Sequence, residues 1–176
     1  MGGADKPLLT LRGRPLVAHV VDRLQPQVSA TVLIANRSLE QYAALRVPVH
    51  RDAVAGVGPL GGLLTALDVA GTPLVFCCPG DAPLMARDLV SRLTAALTPD
   101  IDAVYPHDGA RGQPLFLLVR PIIRPVLERY LADGQRAVHG FLSTLRTTII
   151  DAADIAGSFR NINTPEELDE LARGAG

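Results

Sequence analysis

Short apolar runs alternate with segments of helical periodicity along the whole sequence, and this alternation limits the possible folds more than any other feature. Apolar runs of about five residues occur at 31–35, 74–78 and 115–119, and segments with apolar residues at helical spacing occur at 15–24 and 60–69. Strands that are apolar throughout are typical of sheets covered on both faces. The sequence therefore predicts an α/β fold with a three-layer, mostly parallel, doubly wound (Rossmann-like) sheet.

The rest of the chain continues the same pattern without a break. No repeat, low-complexity tract or linker divides it, so residues 1–176 are predicted to form one domain. Thr164 precedes a Pro and two Glu residues, which is a helix-start signal. Further strands are predicted at 47–50, 101–105, 147–150 and 159–162, and further helices at 39–45, 86–97, 121–131, 137–145 and 164–173.

Composition and charge exclude several classes of function. The chain has 17 basic and 18 acidic side chains, a formal charge of −1 that provides no basic field for nucleic acid or an anionic membrane. Its apolar runs are far shorter than the roughly 20 residues of a membrane span. The first residues lack the apolar region of a secretory signal, and the adjacent Cys77 and Cys78 cannot form a disulfide framework. A cytoplasmic protein is expected.

Asp81 is the clearest candidate for chemistry. It follows the apolar run 74–78 and lies in a turn bounded by Pro79, Gly80 and Pro83. Ligands of α/β sheets gather beyond the carboxyl ends of the strands, where a carboxylate and phosphate oxygens can hold Mg²⁺. The alternative is a structural role, in which Asp81 stabilises its own turn or caps the next helix.

A glycine-rich loop at 56–62 opens the helix predicted at 60–69. It brings together Gly58, Pro59, Leu60 and Gly62, and its bare backbone at a helix N-terminus suits an anionic ligand. The loop matches neither the Walker A pattern nor the dinucleotide fingerprint. Close packing of the helix on the sheet is an alternative reason for the glycines.

Lys6 and two asparagines complete the candidates. Lys6 is the single lysine among the 17 basic residues, and a compact ammonium group differs from a guanidinium at a phosphate. Asn161 and Asn163 lie on the same side of an extended segment, which could aim both amides at a ligand. Loop amides also commonly satisfy backbone groups instead.

These motifs follow one another in an order that resembles a known family, the molybdenum cofactor guanylyltransferases (MobA family). Cytidylyltransferases that act on the same cofactor share much of the series. The motifs are the start Gly2-Gly3-Ala4-Asp5-Lys6-Pro7-Leu8-Leu9, the helix opening Gly13-Arg14-Pro15-Leu16, Ala35-Asn36-Arg37, Asp52, Gly58-Pro59-Leu60-Gly61-Gly62, Cys78-Pro79-Gly80-Asp81-Ala82-Pro83, Gln113-Pro114-Leu115 and Asn161-Ile162-Asn163-Thr164-Pro165-Glu166.

The resemblance implies a nucleotidyltransferase that uses GTP and Mg²⁺ to attach GMP to the terminal phosphate of molybdopterin, releasing pyrophosphate. It implies that Asp81 binds the Mg²⁺ and that Lys6 neutralises charge around the α-phosphate. Asn36 and Asp52 would contact the nucleoside, and the loop at 58–62, with Gly58, Pro59, Leu60 and Gly62, would approach the base. Asn161 and Asn163 would lie near the transferred group or the pterin. Molybdoenzymes and their chaperones are candidate partners.

The resemblance also implies a strand and a leucine-alanine-glycine-glycine loop ahead of Met1, and the sequence contains neither. The expected sheet therefore lacks its first strand, and the expected site lacks a loop that would hold the triphosphate. Two alternatives to guanylyl transfer follow. One is a cytidylyltransferase or another nucleotidyltransferase, and the other is a non-catalytic domain that binds a nucleotide or a partner protein.

Overall fold

The computed structural model describes residues 5–52, 54, 56–162 and 164–174, and in them strands and helices alternate as the sequence predicts. The Gly2-Gly3 start and Asn163 lie outside the described residues. The strands are β1 (Thr10–Leu11), β2 (Arg14–Pro15), β3 (Leu33–Ile34), β4 (Val49–His50), β5 (Val75–Cys77), β6 (Ala103–His107), β7 (Leu117–Val119) and β8 (Thr147–Asp151); the α-helices are α1 (Leu16–Leu24), α2 (Leu39–Ala43), α3 (Pro59–Val69), α4 (Leu89–Ala95), α5 (Arg124–Ala132), α6 (Val138–Leu142) and α7 (Pro165–Gly174).

The largest sheet has four strands in the order β5-β7-β6-β8. β6 and β8 are parallel, whereas β7 is antiparallel to both β5 and β6, so three of the four strands run in one direction. The predicted α/β class is confirmed, and the sheet is mixed rather than uniformly parallel. The apolar run at 115–119 carries no signal of direction, because both kinds of strand are apolar throughout when both faces are covered.

A second, two-stranded sheet pairs β3 with β4 in parallel. The side chains of β3, like those of β5, pack against helices on both faces. Leu33 and Phe76 contact the side of the sheet that α1 covers, and Ile34 and Cys77 contact the side that α3 covers. The small sheet therefore packs against the same helices as β5 does.

The core lies between the sheet and the helices on its two faces. α3 buries Leu60, Leu63 and Leu67 against the sheet, and α4 buries Leu89 and Leu93 on the opposite face. Helices form there because their apolar residues recur on one face at helical spacing, so that one stripe of each helix packs on the strands. This packing fixes the loops at the carboxyl ends of the strands, where the candidate residues lie.

A groove lies between β3 and β5, and residues of both strands line it. It has a volume of about 540 Å³ and is lined by the edges of β3 and β5 and by apolar side chains of α1 and α3. We call it the β3–β5 groove.

Several local predictions meet different outcomes. The strand predicted at 159–162 is wrong: a 3₁₀ helix spans Ala153–Phe159, and the residues after it join no ladder. The sequence analysis missed the hairpin of β1 and β2, whose turn places Arg12 and Gly13 at positive φ. The helix-start signal at Thr164 is confirmed, because Thr164 and Glu167 exchange reciprocal side-chain to backbone hydrogen bonds of 3.1 Å. None of the described helices is long and apolar enough to cross a membrane.

Candidate active site

The candidate residues gather at one edge of the molecule because their strands end there. Asn36, Asp52 and Asp81 follow β3, β4 and β5 respectively. Pro7 lies against Gly80, at about 3.2 Å from the position a Gly80 side chain would take, so the N-terminal turn is at this edge as well. The structure thus brings four separate segments of sequence to the carboxyl ends of three strands.

Asp81 is half-buried in the turn after β5. Its backbone carbonyl accepts a hydrogen bond of 3.0 Å from the N–H of Ile162, which ties the segment before α7 to this turn. Burial raises the pKa of the Asp81 carboxyl above its usual range, and its own backbone N–H and the positive charge of Lys6 act in the opposite direction. Burial therefore disfavours the charged form of this carboxyl, and a bound cation would stabilise it.

Asn36 and Asp52 form two hydrogen bonds with each other across the ends of β3 and β4. The Asn36 amide donates to Asp52 Oδ2 at 2.7 Å, and the backbone N–H of Asp52 donates to Asn36 Oδ1 at 3.1 Å. The second carboxylate oxygen, Asp52 Oδ1, is buried without a hydrogen-bond partner and lies about 3.7 Å from where a Gly62 side chain would begin. The pair thus holds an unsatisfied acceptor against the first turn of α3.

Two positions of the glycine-rich loop require glycine for different reasons: Gly58 for its backbone conformation and Gly61 for its close packing. Gly58 has φ 65° and ψ −148°, a conformation that essentially only glycine adopts. Gly61 packs so closely that a side chain there would come within 2.6 Å of Val57, which supports the packing alternative for that glycine. Pro59 occupies the first turn of α3, and the Leu60 side chain is almost fully buried beside the β3–β5 groove.

Lys6 begins a 3₁₀ turn, Lys6–Leu8, whose position is set by the residue before it. Asp5 accepts a hydrogen bond of 3.0 Å from the Tyr42 hydroxyl, and its other oxygen lies 3.8 Å from Arg37 Nε. The N–H of Leu8 also donates to the Asp5 carbonyl at 2.9 Å. Asp5 therefore joins the Lys6 turn to α2 and the loop after β3.

The described residues contain no cluster of three or more His, Cys, Asp or Glu side chains that could hold a metal alone. Asn161 is next to Ile162 and so lies beside the Asp81 turn. The arrangement offers a lysine, a half-buried carboxylate and a helix N-terminus on one edge. Among the described residues, the side-chain hydrogen bonds of the histidines and serines go to backbone groups, so none of these bonds activates a nucleophile. Such a site suits transfer of a phosphorus-containing group through positioning and charge.

Comparison with known proteins agrees with this geometry. Residues 1–148 match the model of the MobA-like NTP transferase domain. A Vibrio cholerae protein named molybdenum cofactor guanylyltransferase is 39% identical over 171 residues, which cover 97% of this chain and 84% of that protein. The chain belongs to the MobA-like NTP transferase family. A Pasteurella multocida protein of the same name is 38% identical over 170 residues, covering 96% and 90% of the two chains.

Solved structures show that the family fold extends over nearly the whole chain. Molybdopterin-guanine dinucleotide biosynthesis protein A from Archaeoglobus fulgidus has a TM-score of 0.81 at 23% identity, covering 98% of this chain and 90% of that one. A nucleotidyl transferase from Methanothermobacter thermautotrophicus has a TM-score of 0.75 at 20% identity and covers 96% and 84%. At these identities the likeness concerns the fold.

In this MobA-like chain, the hydrogen bond between Tyr42 and Asp5 could not be predicted from the sequence. Tyr42 is 4% exposed and lies on a helix of five residues, where an aromatic residue is usually taken as part of the hydrophobic core. Asp5 had a signal, because it directly precedes the only lysine. Nothing in the spacing of 37 residues indicates that the two side chains meet.

Proposed function

We propose that this protein transfers GMP from GTP to molybdopterin, forming the guanine dinucleotide form of the molybdenum cofactor and releasing pyrophosphate. The observation that carries the proposal is the packing of Pro7, next to Lys6, on Gly80, next to the half-buried Asp81, at the carboxyl edge of the sheet. The names of the relatives that match over nearly the whole chain give the substrate class.

The reaction needs no covalent intermediate with the protein. A phosphate oxygen of molybdopterin would attack the α-phosphorus of GTP, forming a new P–O bond. The bond from that phosphorus to the oxygen bridging to the β-phosphate would break, and its electrons would leave with pyrophosphate. Catalysis of such a transfer relies on alignment and on stabilisation of negative charge, which are what this edge offers.

Lys6 would stabilise the charge that develops around the α-phosphate. The turn that carries Lys6 is fixed through the hydrogen bond between Asp5 and Tyr42, and this would hold the ammonium group at the site. Removing one preorganised electrostatic donor from a transition state costs about 2.7–4 kcal/mol in other enzymes. Lys6 would therefore act in the chemical step, more than in nucleotide binding.

The nucleoside of GTP would lie across α3 and the Asn36–Asp52 pair. Asp52 Oδ1 is a buried acceptor without a partner, so it would gain a hydrogen bond from a donor on the nucleoside. The backbone of Gly58, Pro59, Leu60 and Gly62 would approach the base. Asn161 and Asn163 would contact the transferred group or the pterin from the segment before α7.

Mg²⁺ would be held by Asp81, and the residues present fit this ion. Magnesium on a nucleotide is commonly bound through one or two carboxylates, with phosphate oxygens and waters completing the shell. One carboxylate whose burial raises its pKa provides such a ligand, and a cation would relieve the cost of burying its charge. When bound, the ion would neutralise the phosphates and the leaving pyrophosphate.

The setting proposed for this reaction is the cytoplasm, where GTP and molybdopterin are the small-molecule partners. Molybdoenzymes or their chaperones would take the product. Neither nucleic acid nor a membrane is proposed as a partner, since the net charge of −1 offers no field for either.

Pyrophosphate release by the purified chain, with molybdopterin and Mg²⁺ present, tests the proposal. GTP and CTP are compared at equal concentration, and each reaction is repeated without molybdopterin. The proposal expects release that depends on molybdopterin and is much faster with GTP. A preference for CTP would indicate a cytidylyltransferase, and no release with any nucleotide would indicate a non-catalytic domain.

A further inference from the structure

β8 forms one edge of the four-stranded sheet. Within the described part of the chain it pairs with β6 alone, in parallel, over all five of its residues. Two bonds just outside β8 show which of its backbone groups β6 uses. The carbonyl of Arg146 accepts a bond of 3.3 Å from the N–H of Ala103. The N–H of Ala152 donates to the carbonyl of His107 at 2.9 Å. The even-numbered residues therefore have their backbone groups toward β6.

The odd-numbered residues of β8 present their backbone groups to the outside. These groups alternate in direction along a strand, so those of Thr147, Ile149 and Asp151 point away from β6. No backbone hydrogen bond to another described residue occupies them. Since each residue has one N–H and one C=O, donors and acceptors alternate along the whole free edge.

This edge lacks the features with which proteins usually prevent strands from pairing. β8 is as long as any other described strand and contains neither Pro nor Lys. Ile149 is 51% exposed, and it is the only large apolar side chain of the described strands that is so exposed. An uncharged, regular edge of this kind is a template for another strand.

The charges at the two ends of β8 favour a second copy of the same strand in antiparallel orientation. Arg146 directly precedes β8, and Asp151 ends it. The Arg146 guanidinium binds Asp102 at 2.7 Å and is still 62% exposed, so it can also contact an acidic group of a second copy. Antiparallel pairing brings the basic end of one strand to the acidic end of the other. Parallel pairing would set the two Asp151 carboxylates side by side, which is destabilising.

A two-fold axis at Ile149 gives the register that uses the whole strand. Thr147 then lies opposite Asp151 of the second copy, and Ile149 lies opposite itself. Because the outward backbone groups belong to these residues, each pair exchanges two N–H···O bonds. Any other register leaves Thr147 or Asp151 without a partner in the opposite strand. The arrangement is closed and symmetric, as in most protein dimers.

We propose that β8 is the contact surface of a symmetric dimer of this protein, in which the β8 strands of two copies pair antiparallel across an axis at Ile149. The two sheets join into one of eight strands, four from each copy. The two exposed Ile149 side chains lie next to each other on one face. The carboxyl ends of the strands point in opposite directions in the two copies, so both candidate active sites stay open. This inference is independent of the proposed function.

Disulfide trapping tests the contact and its register. In a background with Cys77→Ala and Cys78→Ala, Ile149→Cys places one thiol of each chain on the proposed axis. The two Cα atoms then lie about 5.5 Å apart, which is within the range of disulfides. Ile122→Cys in the same background is the matched control, because Ile122 is 73% exposed and lies outside β8. Both proteins are oxidised at the same concentration. The proposal expects covalent dimer to form at least about tenfold faster from Ile149→Cys, because pairing holds the two thiols at a high effective concentration.

Sedimentation equilibrium of the chain with its native cysteines tests the dimer without a cross-link. The unchanged chain should reach the mass of two copies and no more as its concentration rises. Ile149→Lys should weaken the dimer by about tenfold or more, because two like charges would lie directly opposite each other. Ile122→Lys should dimerise as the unchanged chain does. A melting curve checks that both variants are folded, which is expected because both side chains are exposed.

Amide hydrogen exchange gives a third measurement at single residues. Exchange at the Ile149 amide should slow at least about tenfold from dilute to concentrated protein, since pairing occupies it only in the dimer. The Ile150 amide, which faces β6, should change little.

Four results would overturn the proposal. The first is the mass of a single chain at every concentration. The second is equally fast cross-linking of the two cysteine variants, and the third is unchanged dimerisation of Ile149→Lys; either would place the contact elsewhere. The fourth is a mass that grows beyond two copies, which would mean open assembly in place of a closed dimer.

Discussion

The Tyr42 hydroxyl donates a hydrogen bond of 3.0 Å to Asp5, the residue directly before the single lysine of the chain. Burial and the negative charge of Asp5 raise the pKa of the Tyr42 phenol, so it is a proton donor at every physiological pH. Through this contact a helix that lies outside the site fixes the turn that carries Lys6.

Tyr42→Phe should therefore lower turnover while leaving the ring packed. A hydrogen bond to a charged group contributes about 1.5–3 kcal/mol, and we expect about a tenfold loss of kcat with a smaller change in the KM for GTP. Tyr130→Phe is the matched control, because the Tyr130 hydroxyl donates to a backbone carbonyl of Ala137 at a similar 3.0 Å. Equal losses of kcat in the two variants would contradict a positioning role for Tyr42.

Asp81→Asn should abolish magnesium-dependent turnover and leave the fold nearly unchanged. The substitution keeps the turn and the carbonyl that bonds Ile162, but it removes the charge that would hold the ion. Pyrophosphate release and a melting curve together check this. Asp100→Asn, at the other end of the sheet before β6, should behave as the wild type, and retained turnover in Asp81→Asn would mean that the metal is held elsewhere.

Lys6→Ala should lose about 2–4 kcal/mol of transition-state stabilisation, which corresponds to a fall of roughly 30- to 1000-fold in kcat/KM. The fall should be mainly in kcat. Lys6→Arg keeps the positive charge on a planar group and should lose less. A variant that binds GTP weakly but turns over at the normal maximal rate would show that Lys6 acts in binding alone.

Gly58→Ala should weaken GTP binding, because alanine is strained at φ 65° and ψ −148° and the start of α3 would have to shift. The strain is on the order of 1–3 kcal/mol. Gly71→Ala is the control, since a side chain there meets open space at an ordinary φ. Titration calorimetry with Mg-GTP measures both, and unchanged affinity in Gly58→Ala would remove the loop from the binding site.

Alkaline pH should destabilise the protein through Cys77 and Cys78. Burial raises the pKa of both thiols to about 12, whereas unfolded thiols ionise near pH 8.5. Between pH 8.5 and pH 12 the thiols stay protonated in the folded state and ionise in the unfolded state. Their contribution to the free energy of unfolding is therefore complete below about pH 8.5 and is lost as the pH rises toward 12. At pH 10 the full shift would lower the free energy of unfolding by about 2 kcal/mol for each thiol. Both thiols line the open groove, where solvent reduces the cost of the charge, so we expect a loss of about 1 kcal/mol for each.

Urea unfolding at pH 7.5 and pH 10 measures this difference. The variant with Cys77→Ala and Cys78→Ala should have a smaller change in free energy of unfolding between the two pH values. The Tyr42 phenol acts in the same direction in both proteins and cancels in the comparison. An equal change in the wild type and the variant would contradict the prediction.

Much of the fold could be predicted because the helices and strands are marked by local patterns. The helix after Thr164 begins as its start signal predicts, and α3 follows the glycine-rich loop as expected. The direction of β7 could not be predicted, since an antiparallel strand buried on both faces is as apolar as a parallel one. The residues after Phe159 were predicted as a strand, but their backbone bonds the Asp81 turn.

The candidate site could be predicted in part for the same reason. Asn36, Asp52 and Asp81 each follow a strand, and the carboxyl ends of neighbouring strands share an edge. The contact between Asp5 and Tyr42 joins residues 37 positions apart and depends on how α2 packs, for which the sequence has no local signal. The open acceptor in the Asn36–Asp52 pair likewise appears only in three dimensions.

Transfer of label from GTP tests the central claim most directly. The purified chain is incubated with molybdopterin, Mg²⁺ and GTP labelled at the α-phosphate, and the pterin product is separated and counted. Guanylyl transfer predicts label on the pterin in equal amount to the pyrophosphate released, and none with Asp81→Asn. Label that stays in GTP, or pyrophosphate release with the label recovered as free GMP, would contradict it.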